Sequence, residues 1–195
     1  MTALSEELLN EAYQDRVIDI TEEAKAQAPE RGFVVEKIYY NGFWSQGDGA
    51  SWIGEVNVPD YIEYKIRNGG IDGIPHGVLE TMYWLFEGGV FDRKLNVRHE
   101  GFYYHDGCMR LADFYWTFMG NNDTETMGNW GGPFADTPIK YLLQATNWSW
   151  ENGSDLPDYY TALHSQILDD TRAYARDIYR KLEEAYTEVH DGAVA

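Results

Sequence analysis

Apolar and polar positions alternate along this chain with three distinct rhythms. Between residues 5 and 28, Leu9, Tyr13, Val17, Ile20, Ala24 and Ala28 recur every three or four positions. That spacing draws one apolar stripe down a helix. Ser5 is placed to cap it, Glu6, Glu7 and Glu11 face its positive end, and Pro29 and Gly32 close it. Residues 33–44 are β-branched and aromatic, which predicts a strand, and 50–58 predict its returning partner across the loop Ser45-Gln46-Gly47-Asp48-Gly49. Pro59 opens a short helix over 59–68, and a second is expected over 78–86, ending at Gly88-Gly89. A third rhythm fills 158–189, where Leu163, Ile167, Thr171, Tyr174, Ile178, Leu182, Ala185 and Val189 follow helical spacing. With Thr and Ala in that seam, packing against a sheet is favoured over a free-standing coiled coil.

A second hairpin is expected around Asp106-Gly107, since a two-residue Asp-Gly turn suits the positive φ of a type I′ turn. In that register His105 opposes Cys108, Tyr103 opposes Arg110 and His99 opposes Phe114. Residues 118–136, rich in Gly, Asn and Asp, read as a long loop, and Thr137-Pro138 starts a short helix over 138–146. The element order predicts one α+β domain over 1–195. Its antiparallel sheet is built from two hairpins and packed against an N-terminal helix and a long C-terminal helix.

Charge alters this picture. The chain of 195 residues has 33 acids against 15 bases, a formal net charge of −18, yet 44% of its residues are hydrophobic and 15% aromatic. An aromatic content of this kind excludes an acidic disordered tail. The charge itself opposes direct nucleic-acid binding, which needs clustered Lys and Arg. Acids are distributed rather than run together: 158–189 alone holds seven against four bases. The N-terminal residues lack the basic-then-apolar order of an export signal, and no apolar run approaches the roughly 20 residues needed to span a bilayer. A single cysteine, Cys108, leaves no disulfide pair, and a cytoplasmic location is expected.

Candidate chemistry is sparse. The five histidines, His76, His99, His105, His164 and His190, form no metal motif. His99 and His105 are roughly 20 Å apart along a strand. Neither a metal nor a cofactor is expected. His105 beside Cys108 offers thiolate chemistry but no third group to orient it. The densest polar group is Ser45, Gln46, Asp48 and Ser51, and its first reading is a turn in which Asp48 accepts backbone N–H bonds. The catalytic candidates are therefore Ser45, Asp48 and His105. As partner contacts, Trp44, Gln46, Asp48, Trp148 and Trp150 stand out, because loop aromatics give large contact area at small entropic cost. Tyr39, Tyr40 and Trp52 are further aromatic anchors, with core packing favoured for Tyr39 and Trp52.

The run Tyr40-Asn41-Gly42-Phe43-Trp44-Ser45-Gln46-Gly47-Asp48-Gly49-Ala50-Ser51-Trp52 resembles a segment of small uncharacterised bacteriophage and prophage proteins, as does Gly101-Phe102-Tyr103-Tyr104-His105. The resemblance spans residues 33–118 and departs from the family at the tip Asp106-Gly107-Cys108. It implies a phage-encoded accessory protein acting inside a bacterial host and transfers no activity to any residue. Three functions remain open at the level of sequence. The first is an acidic protein that binds and inhibits a host protein, such as a nucleic-acid-processing or defence enzyme with a basic groove. The second is a small metal-independent hydrolase or nucleotide-modifying enzyme using the Ser45–Ser51 loop. The third is a virion or assembly component.

Overall fold

The computed structural model describes residues 3–43, 45, 47–89, 91–99, 109–111 and 156–191. Helix α1 spans Ala3–Gln27 and runs into a 3-10 turn over Ala28–Arg31. Strands β1 (Phe33–Tyr40) and β2 (Ala50–Asn57) follow, then helices α2 (Val58–Arg67) and α3 (His76–Glu87). Strands β3 (Lys94–His99) and β4 (Met109–Leu111) come next, and helix α4 (Leu156–Asp191) closes the described chain. The sheet is antiparallel in the order β1-β2-β3-β4. The α+β class is as the sequence predicts, with α1 and α4 packed on the sheet.

The α4 stripe is buried as its spacing requires. Leu163, Ile167, Thr171, Tyr174, Ile178, Leu182 and Ala185 are all buried, and Val189 is packed at the core's edge. Trp52 is the pivot of the sheet–helix contact: it is fully buried and its indole N–H donates to the Thr171 carbonyl at 3.2 Å. Phe33 lies against both Trp52 and Tyr174, with ring centroids 5.5 and 5.7 Å away. The Tyr174 hydroxyl donates to the Ala24 carbonyl, and Arg16 and Lys181 reach across to Glu188 and Glu23. These cross-contacts fix α1 antiparallel to α4. Helix α1 begins at Ala3, so Ser5 sits inside the helix rather than capping it. The chain leaves the 3-10 turn through Gly32 at φ 76°, where a side chain would strike the α2 backbone at Tyr61.

A bulge interrupts β1 between Val35 and Lys37, opposite Gly54. There a Cβ would stand 1.9 Å from the Val34 carbonyl oxygen, so only glycine fits. The β3–β4 register corrects the expected one. Arg110 faces Arg98 instead of Tyr103, and His99 faces Met109 instead of Phe114. The shift is of five positions, an odd number, so it exchanges the faces of β4 relative to β3. Its cause is burial: Leu111 opposes Val97, and Val97, Met109 and Leu111 are all buried. The expected register would place Met109 and Leu111 on the face of Arg98. Apolar pattern thus outweighs turn chemistry. The Asp106-Gly107 turn, the 118–136 loop and the 138–146 helix lie outside the described residues.

Candidate functional site

The β1–β2 connection is held by its own side chains. The backbone N–H of Asn41 donates to the Gly49 carbonyl at 3.2 Å, and the Gly49 N–H donates to the Asn41 side-chain oxygen at 3.1 Å. At the tip, Asp48 N–H donates to the Ser45 carbonyl at 3.1 Å, while the Asp48 carboxylate accepts the Ser45 N–H in return. Gly47 turns the chain at φ 98°, a conformation that favours glycine. This reciprocal pairing is the turn expected from the sequence, with Asp48 as its acceptor.

The loop rests on an aromatic platform supplied by both long helices. Phe43 packs against Tyr186 and Tyr179 of α4 at 5.1 and 5.4 Å, and edge-on to Tyr13 of α1 at 6.3 Å. The Tyr179 hydroxyl donates to the Gly42 carbonyl at 3.0 Å. His190 stacks on Tyr186 at 3.9 Å, and its Nδ1 lies 2.9 Å from the Tyr186 carbonyl oxygen. Burial, then the Asp48 and Glu183 carboxylates, hold the Tyr179 hydroxyl above its ordinary pKa. Burial, followed by the neighbouring Tyr40 hydroxyl, does the same to Tyr13. Tyr179 works as a packed anchor and hydrogen-bond donor rather than as a base, and Tyr13 as a packed ring.

Ser45 and Asp48 are therefore brought together, with Ser45 exposed. Among the described residues no histidine and no second carboxylate hydrogen-bonds to either, so the contacts in hand are those of a turn and not of an acid–base pair. Trp44, Gln46, His105, Trp148 and Trp150 lie outside the described residues. Of the other aromatic candidates, Trp52 is core, Tyr40 packs at the core's edge, and Tyr39 stacks with His99 at 6.2 Å under the Lys37 ammonium. Among the described residues no group of His, Cys, Asp and Glu side chains is arranged to hold a metal ion, and no helix is long and apolar enough to cross a membrane.

Sequence reasoning missed Asn41, Phe43, Tyr179 and Tyr186 as parts of this site. A signal existed for the last two. Tyr179, Tyr186 and His190 fall seven and then four residues apart, a second aromatic face beside the main α4 stripe. A separate polar cluster joins α2 to α4. Asp170 accepts from the Tyr61 hydroxyl at 2.7 Å and from Gln166 at 2.9 Å, and pairs with Lys65 at 2.6 Å. Both its oxygens are engaged, which makes it a clamp between elements.

Over residues 16–191 the chain matches the model of a family described as Domain of unknown function (DUF8835). The chain belongs to this family. The matched span starts part-way along α1 and includes the β1–β2 loop, the aromatic platform and α4. No curated protein and no solved structure matches the chain.

Proposed function

We propose that this protein works by binding another protein, and that its β1–β2 loop is one contact surface. The observation that carries the reading is the loop's construction. A nine-residue connection between paired strand ends, residues 41–49, is cross-braced by Asn41 and Asp48 and seated on Phe43, with Ser45 facing solvent. A preformed loop loses little conformational entropy on docking, so more of its contact energy remains as affinity. A net charge of −18 directs that binding toward a basic surface and speeds encounter with it.

The partner in this reading is a bacterial host protein with a basic groove of the kind that holds nucleic acid, and the protein modulates it by occupying that groove. The resemblance of residues 33–118 to small bacteriophage and prophage proteins supports a phage-encoded accessory role in the host cytoplasm. Immobilised protein exposed to bacterial lysate at low and at moderate salt tests the proposal. One recurrent basic protein, retained by the wild type and lost by Asp48→Ala, is the expected result. Failure to capture any specific protein at either salt overturns it.

A further inference from the structure

We propose that Asn68 is a site of slow covalent modification, its side-chain amide being lost through attack by the Gly69 backbone nitrogen, and that the fold protects the same dipeptide in the β1–β2 loop. The inference is independent of the protein-binding reading. Asn-Gly occurs three times, at Asn41-Gly42, Asn68-Gly69 and Asn152-Gly153, and the last lies outside the described residues. Glycine favours this chemistry because it has no Cβ to keep its nitrogen away from the asparagine Cγ. In the step, the Gly69 nitrogen gives its proton to solvent and forms a bond to Asn68 Cγ. The Cγ–Nδ2 bond breaks, and Nδ2 takes a proton from solvent and leaves as ammonia, closing a succinimide ring. Water then opens the ring at either carbonyl and leaves aspartate or isoaspartate at position 68. The net reaction consumes water and releases ammonia, with no oxidation or reduction.

Asn68 is placed for this attack. It ends α2, it is exposed, and Gly69 follows at φ 104° with nothing within 4 Å of where a Cβ would stand. Its Nδ2 donates to the Tyr64 carbonyl at 2.7 Å, and its backbone N–H to the Tyr64 and Lys65 carbonyls at 3.1 and 3.0 Å. Among the described residues neither the Asn68 Oδ1 nor the Gly69 N–H is held by a hydrogen bond. Fraying of the last helical turn therefore frees the reacting atoms, and fraying of a terminus is a low-energy opening.

Asn41 has the same neighbour in sequence and the opposite setting. Its Oδ1 accepts the Gly49 N–H at 3.1 Å, its own N–H donates to the Gly49 carbonyl at 3.2 Å, and the Tyr179 hydroxyl holds the Gly42 carbonyl at 3.0 Å. Both sides of the bond that must rotate are fixed. The Asp48 carboxylate oxygens also lie 3.8 Å from where a Gly42 Cβ would stand, and a negative charge there opposes loss of the Gly42 amide proton. At Asn68, by contrast, conversion replaces an amide donor with a carboxylate beside the Tyr64 carbonyl. The cap is lost, and a negative charge is added at the negative end of α2.

Peptide mapping by mass spectrometry of the folded protein, incubated at mildly alkaline pH, tests this. Two more hydrogen bonds must open at Asn41 than at Asn68, each worth about fivefold, so Asn68 is expected to convert more than roughly tenfold faster. In concentrated urea the two rates should converge, since the difference belongs to the fold. Tyr179→Phe should speed conversion at Asn41 about fivefold and leave Asn68 unchanged. Asn68→Asp, which mimics the main-chain product, should speed amide exchange at position 68 and Gly70. Conversion of folded Asn41 as fast as Asn68, absence of conversion at Asn68, or a difference that persists undiminished in urea overturns the assignment.

Discussion

Replacing Asp48 by alanine separates the tip of the β1–β2 loop from its base. The substitution removes the carboxylate that accepts the Ser45 N–H. A hydrogen bond to a charged acceptor at a solvent-exposed site is worth about 1 kcal/mol. The Asn41–Gly49 pairings at 3.2 and 3.1 Å survive, as does the Tyr179–Gly42 bond at 3.0 Å. The loss is therefore confined to the tip, where about 1 kcal/mol corresponds to a roughly fivefold change in the local opening equilibrium. Amide hydrogen exchange followed by NMR should show the Ser45 amide exchanging about five times faster. The melting temperature should move by no more than about 4 °C, the upper end of the shift for 1 kcal/mol in a chain of this size. Asp48→Asn keeps an acceptor oxygen and should restore most of the protection. Unchanged exchange at Ser45, or a loss of stability comparable to that of a core truncation, would refute the claim that Asp48 braces this loop locally.

Three further outcomes follow from the packing. Asp170→Ala strands the buried Tyr61 hydroxyl and a Lys65 ammonium that is only 17% exposed. It should cost about 2–3 kcal/mol and roughly 5–10 °C in melting temperature, with Tyr61→Phe adding little on top, as a thermal double-mutant cycle would reveal. Burial raises Tyr61, Tyr160 and Tyr13 above the usual tyrosine value of 10.0. A raised folded value means that their stabilising contribution is full below the unfolded pKa and lost as pH climbs through the folded one, so spectrophotometric titration should show these tyrosines ionising only with alkaline unfolding. Hydrogen bonding to Lys181, then its charge, lowers Glu23 below its ordinary value of 4.5. That contribution is present above the unfolded value and lost as pH falls through the folded one, and Lys181→Met should bring the Glu23 titration measured by NMR back toward 4.5.

The helices were legible because their burial has a period. Every α4 position from Leu163 to Ala185 singled out by spacing is buried, and Tyr13, Val17 and Ala24 of α1 behave the same way. The first hairpin was legible from its β-branched and aromatic runs and its glycine-rich turn. Local grammar failed at β3–β4, where the Asp-Gly signal competed with Met109 and Leu111. Those residues gain more from burial beside Val97 than a tight turn offers, and the pairing follows them. Long-range partners were the least legible. Nothing near Phe43 or Asp170 in sequence announces Tyr186 or Tyr61, because such contacts are set by how α4 lies on the sheet. Within the site, the Asp48 turn was foreseen from residue type alone. The platform beneath it needed the antiparallel packing of α1 and α4.

The central claim is that this acidic protein binds a basic partner through its braced β1–β2 loop. Its most direct test is the affinity for the captured partner, measured as salt concentration is raised. The account predicts that binding weakens progressively with salt and that Asp48→Ala weakens it at every salt concentration. An affinity indifferent to salt and to Asp48→Ala would contradict it.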